Sequence, residues 1–266
     1  MKQSKYSNSR FVVIPCPHEA TTSYGKGTKN GPAAILKAWQ YLESFDEELK
    51  METDKKAGIC MEKPVTKKAL CAKTLKVIKD KKTPVILGGE HSLSVEAVKA
   101  ARARNPRLSV LQLDAHADLR DSYKGNKDFH GSVMRRILEV CPAVQAGLRS
   151  LSQEEYDFAR KSGQLEKMHF ADHVDVVEKI VSQLSDQVYI TIDVDVFDPA
   201  VMPSTGTPEP GGLFWYEVLD ILREVCKLKT VVGVDLVELC PIKGLTAPDF
   251  TIAKLAYRVM GYLASK

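Results

Sequence analysis

The sequence predicts an α/β domain whose mainly parallel sheet is covered on both faces by helices. Short apolar runs alternate along the chain with stretches of helical spacing, the pattern of strand–helix–strand units. Metal-type side chains stand directly after several of these runs, where parallel sheets present ligands at strand carboxyl ends. At 266 residues and 44% hydrophobic content the chain can bury one large core, and with no compositional break we expect a single domain over residues 1–266.

Composition excludes several function classes. Lys and Arg number 38 against 34 Asp and Glu, a formal net charge of +4. The basic residues are dispersed without interleaved aromatics, so nucleic acid is not an expected partner. The lysine-rich stretches 50–56 and 76–82 read as solvated faces. None of the six cysteines forms a Cys-x-x-Cys pair, which suggests neither a structural zinc nor a disulfide framework. They read as small buried hydrophobes in a reducing compartment. The apolar run 11–14 stops at Pro15, too short for a signal core, and no segment approaches membrane-spanning length. A cytoplasmic protein with no membrane partner is expected.

Taken in order, residues 10–14 have strand composition, and Pro15, Pro17, Gly25 and Gly27 mark an irregular loop that could wall a pocket. Asn30-Gly31-Pro32 opens a helix with Ile35, Leu36 and Trp39 on one stripe. Residues 43–64 are polar and charge-mixed and read as surface connections. A helix over 67–81 turns Leu70, Thr74, Leu75 and Ile78 inward, and 83–87 is a short buried strand. Gly88-Gly89-Glu90-His91-Ser92 follows it. The paired glycines permit close backbone approach, and His91 emerges as a candidate ligand. Glu90 suits support of its neighbours or a charge at a helix N-terminus.

A helix over 94–104 leads into a buried strand over 108–113, after which Asp114, His116 and Asp118 alternate. On extended chain these three share a face, and two carboxylates with an imidazole suit a divalent cation. Taken alone, the aspartates could instead cap the next helix. The strand beginning at 188 decides between these, because it ends on Asp193 and Asp195 with the same alternation. Four aspartates cannot share a site unneutralised, and two ions bridged by common carboxylates would neutralise them.

His130 follows the polar loop 120–128 and opens a helix over 132–140, where it could ligate, carry protons or cap. Strands are expected over 143–148 and 167–171, with helices over 153–162 and 174–184. Residues 199–212 form a long loop dense in turn residues, a length usually kept for function. A helix over 214–226 and a strand over 230–234 precede Glu238, a further carboxylate at a strand end. The last helix, 251–263, offers Ile252, Leu255, Val259 and Met260 to the core.

His91, Asp114, His116, Asp118, Asp193 and Asp195 suit two ions sharing two bridging aspartates. Oxygen-rich sites with one nitrogen per ion favour Mn²⁺ over a softer zinc site, while the donor types also admit Zn²⁺, Fe²⁺, Co²⁺ or Ni²⁺. Paired ions lower the pKa of a bridging water and make hydroxide available near neutral pH, which points to hydrolysis.

These motifs resemble those of the ureohydrolases, the arginases, agmatinases and their relatives, over nearly the full chain. The resemblance is carried by Gly-Gly-Glu-His-Ser at 88–92, Asp-Ala-His-Ala-Asp at 114–118, His130-Gly131, the signature 193–212 and Asp-Leu-Val-Glu-Leu-Cys-Pro at 235–241. It implies an arginase-like three-layer α/β/α fold with two Mn²⁺ per chain. By the same match His91 binds the first ion and His116 the second, Asp114 and Asp193 bridge, and Asp118 and Asp195 complete the two sets. Glu238 would then hold the substrate guanidinium, His130 would move protons, and Asp118 would orient the attacking hydroxide. Trimers or hexamers are implied as well.

The loop 119–130 departs from the Ser-Gly-Asn pattern of arginases and looks like the agmatinase version, although Gly131 stands where agmatinases often carry alanine. The expected reaction is therefore hydrolysis of agmatine to putrescine and urea, a polyamine-forming step. Other ureohydrolase substrates remain alternatives: arginine, guanidinobutyrate, guanidine or formiminoglutamate. So do a single-zinc deacetylase of related fold and a non-catalytic homologue.

Overall fold

The computed structural model describes residues 3–173 and 177–266. In chain order the elements are β1 (Phe11–Cys16), α1 (Gly31–Trp39), β2 (Phe45–Asp46), β3 (Met51–Glu52), α2 (Thr53–Ala57), β4 (Ile59–Met61) and α3 (Lys67–Lys79). Then come β5 (Thr83–Gly88), α4 (Ser94–Arg102), β6 (Leu108–Leu113), α5 (Val133–Leu138), β7 (Ala143–Leu148), α6 (Gln153–Ser162) and β8 (Met168–Phe170). The chain finishes with α7 (Val177–Gln183), β9 (Gln187–Asp193), α8 (Trp215–Leu228), β10 (Thr230–Val237) and α9 (Ala247–Ser265).

Eight strands form one sheet in the order β4-β1-β5-β10-β9-β6-β7-β8. Every pairing described within it is parallel. Alternation along each strand sorts its side chains to opposite faces. Phe11, Val13, Leu111 and Leu113 join α1, α8 and α9 in one core, whereas Val12, Ile14, Leu108 and Val110 join α3, α4 and α5 in the other. The sheet is thus the middle of three layers, as expected, and its strands are buried on both faces.

Some local expectations need correction. Residues 43–64 are not merely surface connections: they hold the antiparallel β2–β3 hairpin, α2 and the sheet-edge strand β4. Three-residue β4 pairs on one side only, with β1, so its place is fixed by a distant partner rather than by its own pattern. In α3 the buried stripe is Leu70, Thr74 and Val77, with Leu75 and Ile78 half-buried. The final helix starts at Ala247, four residues before 251, with Pro248 in its first turn, where a missing N–H costs nothing. The expected helical start over 174–176 lies outside the described residues.

Hairpin and last helix are fastened by a buried charge. The Arg258 guanidinium, 2% exposed, meets Asp46 at 2.9 Å, Glu48 at 2.6 Å and also Glu47. All six cysteines are free of disulfides. No helix among the described residues is long and apolar enough to cross a membrane.

Candidate metal centre

Apart from His130, which lies just before α5, the predicted site residues follow four neighbouring strands in the middle of the sheet, β5, β10, β9 and β6. His91 comes after β5, Asp114, His116 and Asp118 after β6, Asp193 and Asp195 at the end of β9, and Glu238 after β10. Two of them leave their strands in the left-handed backbone region, Asp118 at φ 53° and Glu238 at φ 65°. Non-glycine residues hold that conformation only where surrounding contacts impose it. The Asp118 carbonyl accepts from the Met134 and Arg135 amides, and the Glu238 amide donates to Gly89 O. At Gly89 a Cβ would fall 2.0 Å from His18 O, so only glycine permits this closure.

His91 Nδ1 lies 3.2 Å from Asp114 Oδ2, 3.3 Å from Asp118 Oδ2 and 3.4 Å from Asp193 Oδ2. It is buried and makes no hydrogen bond. On the other side of the ring Nε2 is 2.8 Å from Thr191 Oγ1, whose hydroxyl donates to Asp235 Oδ1 at 2.6 Å. With its proton spent on Asp235, Thr191 can only accept from the ring, which assigns an imidazole hydrogen to Nε2 and leaves Nδ1 as the nitrogen turned to the carboxylates. A buried nitrogen aimed at three carboxylates is favourable only with a cation between them, a proton or a metal ion that displaces it.

His116 Nδ1 stands 2.9 Å from Asp195 Oδ2 and 3.6 Å from Asp114 Oδ1. Two donor sets result, His91 with Asp114 and Asp193, and Asp114 with His116 and Asp195, the candidate ligand atoms of each lying within 4.8 Å of one another. Asp114 belongs to both sets. The loop after β9 is locked onto them, because Asp193 Oδ1 accepts from the Asp195 amide and Asp195 Oδ1 from the Ala115 amide.

The electrostatics agree with a cation site. Burial and then the neighbouring Asp114 push Asp118 up to about 7, and burial with Asp195 and Asp114 raises Asp193 well above the carboxylate range. Burial works against a charged His91, yet Asp114, Asp118 and Asp193 raise its pKa well above the usual value. His116, likewise opposed by burial, is pushed up to about 12 by Asp195 and Asp114. The cluster holds protons because it lacks enough positive charge of its own, and divalent ions of the hard or borderline class fit these donors.

Beside the donor sets lies a cavity of about 240 Å³ lined by His116, Asp118, Phe129, His130, Asp193 and Glu238 among others. That size suits a small molecule. Glu238 Oε1 accepts from the His91 amide at 2.6 Å and lies 3.8 Å from His130 Nδ1. Burial pushes Glu238 up to about 8 and His130 down to about 4. His130 is therefore a neutral ring, and its buried Nε2 makes no hydrogen bond.

Glu90, left ambiguous by sequence, is an anchor. Its carboxylate accepts from the Ala20 and Thr21 amides and from the Thr21 and Ser92 hydroxyls, at 2.5 to 2.6 Å. Thr21 Oγ1 in turn accepts from the His130 amide at 3.1 Å, so Glu90 fixes the loop that places His130. Thr191 and Asp235, missed in the sequence reading, sit behind His91. Thr191 carried a usable signal, since it shares a strand face with Asp193 two residues on.

The sequence profile of the arginase family matches residues 9–262. An N(1)-aminopropylagmatine ureohydrolase of Synechocystis sp. is 38% identical over 279 residues, covering 97% of this chain and 90% of that protein. An agmatinase of Pyrococcus horikoshii is 37% identical over 265 residues, covering 96% and 92%. Among solved structures, agmatine ureohydrolase of Thermoplasma volcanium superposes with a TM-score of 0.88 at 29% identity, over 98% of this chain and 92% of that one. With the paired donor sets at adjacent strand ends, these likenesses show that the chain belongs to the arginase family and is a hydrolase of the ureohydrolase type.

Proposed function

We propose that this hydrolase uses two Mn²⁺ ions to cleave the guanidinium group of agmatine, releasing urea and putrescine. One observation carries the reading: the Glu238 carboxylate lines one small cavity together with His116, Asp193 and Asp195, members of two donor sets that share Asp114. On this reading His91, Asp114, Asp118 and Asp193 would hold one ion, and Asp114, His116, Asp193 and Asp195 would hold the other. Bound ions of this kind supply Lewis acidity and acidify water.

The remaining work falls to the chain's own residues. Glu238 receives the planar guanidinium in a paired, charge-assisted geometry. Asp118 orients the attacking water and accepts its proton. As the oxygen adds to the guanidinium carbon and the carbon–nitrogen bond to the alkyl amine breaks, that nitrogen must gain a proton. His130, neutral and 3.8 Å from Glu238, passes to that nitrogen the proton that Asp118 took from the water.

A second substrate is favoured by a specific observation. Relatives named N(1)-aminopropylagmatine ureohydrolase match at 38%, 36% and 35% identity. That compound keeps the guanidinium and butyl chain of agmatine and extends the amine end, so the same head-group chemistry applies. Urea release by the Mn²⁺-loaded protein should be measured with agmatine, N(1)-aminopropylagmatine, arginine and guanidinobutyrate, with and without chelator. The ratio of kcat/KM for the first two chooses between them. Urea from arginine or guanidinobutyrate alone would overturn both.

A further inference from the structure

We propose that Arg149 and Glu209 are positioning residues that set the affinity of the second ion, the one facing Asp114, His116 and Asp195. The proposal rests on the two-ion reading above. Arg149 follows β7, and its guanidinium donates to six backbone carbonyls: Gly147, Asp195, Val196, Phe197, Glu209 and Pro210, at 2.6 to 3.4 Å. A planar guanidinium is a rigid fork. Here it ties together two segments distant along the chain, the turn after Asp195 and the far end of the long loop at Glu209.

Those segments present carboxylates to opposite sides of one imidazole. Asp195 Oδ2 is 2.9 Å from His116 Nδ1, and Glu209 Oε1 is 3.7 Å from His116 Nε2. With Nδ1 turned to the ion, the ring hydrogen belongs on Nε2, facing Glu209. A carboxylate in that place fixes tautomer and ring orientation and makes the ligating nitrogen a better donor. At 3.7 Å the contact is an ion-pair distance rather than a hydrogen bond, so Glu209 acts on the ring through its charge.

The long loop is pinned so that Glu209 cannot drift. Asp198 Oδ2 accepts from the Gly211 and Gly212 amides at 2.9 and 3.0 Å. A Cβ at Gly212 would lie 2.6 Å from Arg149 Nη2 and 2.5 Å from the Asp198 nitrogen. Glycine there lets strap and guanidinium close together. His91 and Asp118, the ligands particular to the first ion, receive no hydrogen bond from Arg149 or Glu209, so the effect must be asymmetric.

Titration of Mn²⁺ into chelator-stripped protein, followed by calorimetry and by the spin-coupled EPR signal of a paired centre, tests this without turnover. Wild type should fill two sites. Glu209→Ala and Arg149→Met should weaken the second by about 10- to 100-fold and leave the first unchanged. Glu209→Gln, which keeps the shape and removes the charge, should weaken the second site as Glu209→Ala does. If Arg149→Met does not fold, Glu209→Ala carries the test, because that side chain is partly exposed. Wild-type affinities in Glu209→Ala, or equal weakening of both ions, would overturn the proposal. A wild type that takes fewer than two ions would instead overturn the metal reading beneath it.

Discussion

Thr191 holds the His91 ring with Nδ1 turned to the carboxylates. Its hydroxyl takes the Nε2 hydrogen and hands its own to Asp235, which Tyr189 also reaches at 2.8 Å. Thr191→Val keeps the shape and deletes the hydroxyl, leaving a buried ring N–H and a buried carboxylate oxygen short of a partner. Each unmet group costs about 1–3 kcal/mol, and the first ion should bind about 10- to 100-fold more weakly while the second is unaffected. Manganese titration with parallel urea unfolding checks both parts. Proton linkage supplies a further prediction. The imidazoles of His91 and His116 have raised pKa values because carboxylates face them, so below those values each carries a proton that an entering ion must displace. Loading should release protons, and affinity should rise with pH. Calorimetry in buffers of different ionisation enthalpy reads the release, and zero net release would contradict the donor assignment. At this scale the candidate donors after β6 and at the end of β9 were legible because alternation on two strand ends placed them on common faces. Arg149 and Glu209 were not, since Arg149 contacts backbone carbonyls and Glu209 approaches His116 only after the long loop folds back.

Elements were legible where their own periodicity matched their burial. The six longer strands, β1, β5, β6, β7, β9 and β10, were read as strands because each is an apolar run followed by turn residues, and α9 because Ile252, Leu255, Val259 and Met260 repeat at helical spacing, all buried. The segment from β2 to β4 was not, since two-residue strands and a three-residue edge strand leave no pattern apart from their partners. What fixes that segment is Arg258 on α9, which gathers Asp46, Glu47 and Glu48. Tyr262 also donates to Glu48, and Arg223 of α8 joins it at 2.7 Å. Arg258→Met fills similar volume but strands Asp46, which is fully buried. Breaking a buried pair from one side costs about 3–5 kcal/mol. Urea unfolding should show a loss of that order, while manganese titration of the folded variant should still find two sites. Loss of an ion with the stability would mean the hairpin contributes to the centre.

At the level of the whole molecule, alternating strands and helices foretold a parallel sheet but not its order. Nothing in the spacing says that β9 and β10, late in the chain, insert between β5 and β6. That insertion brings His91, Asp114, Asp193 and Glu238 to one end of the sheet, although as many as 147 residues separate His91 from Glu238. Gathering so many carboxylates in a buried place opposes folding through mutual repulsion, and the unfolded chain, in which these residues are far apart, has no comparable ion site. Ions that bind only the folded chain should therefore clamp the centre of the sheet. An ion present at a hundred times its dissociation constant stabilises by about 2.7 kcal/mol. At about 2–4 °C per kcal/mol for a chain approaching this size, each filled site should raise Tm by about 5–10 °C. Thermal melts of chelator-stripped and Mn²⁺-loaded protein measure this directly, and His116→Ala should retain about half of the shift by keeping the first ion. Equal Tm values with and without Mn²⁺ would mean that the converging aspartates are held together by something other than cations.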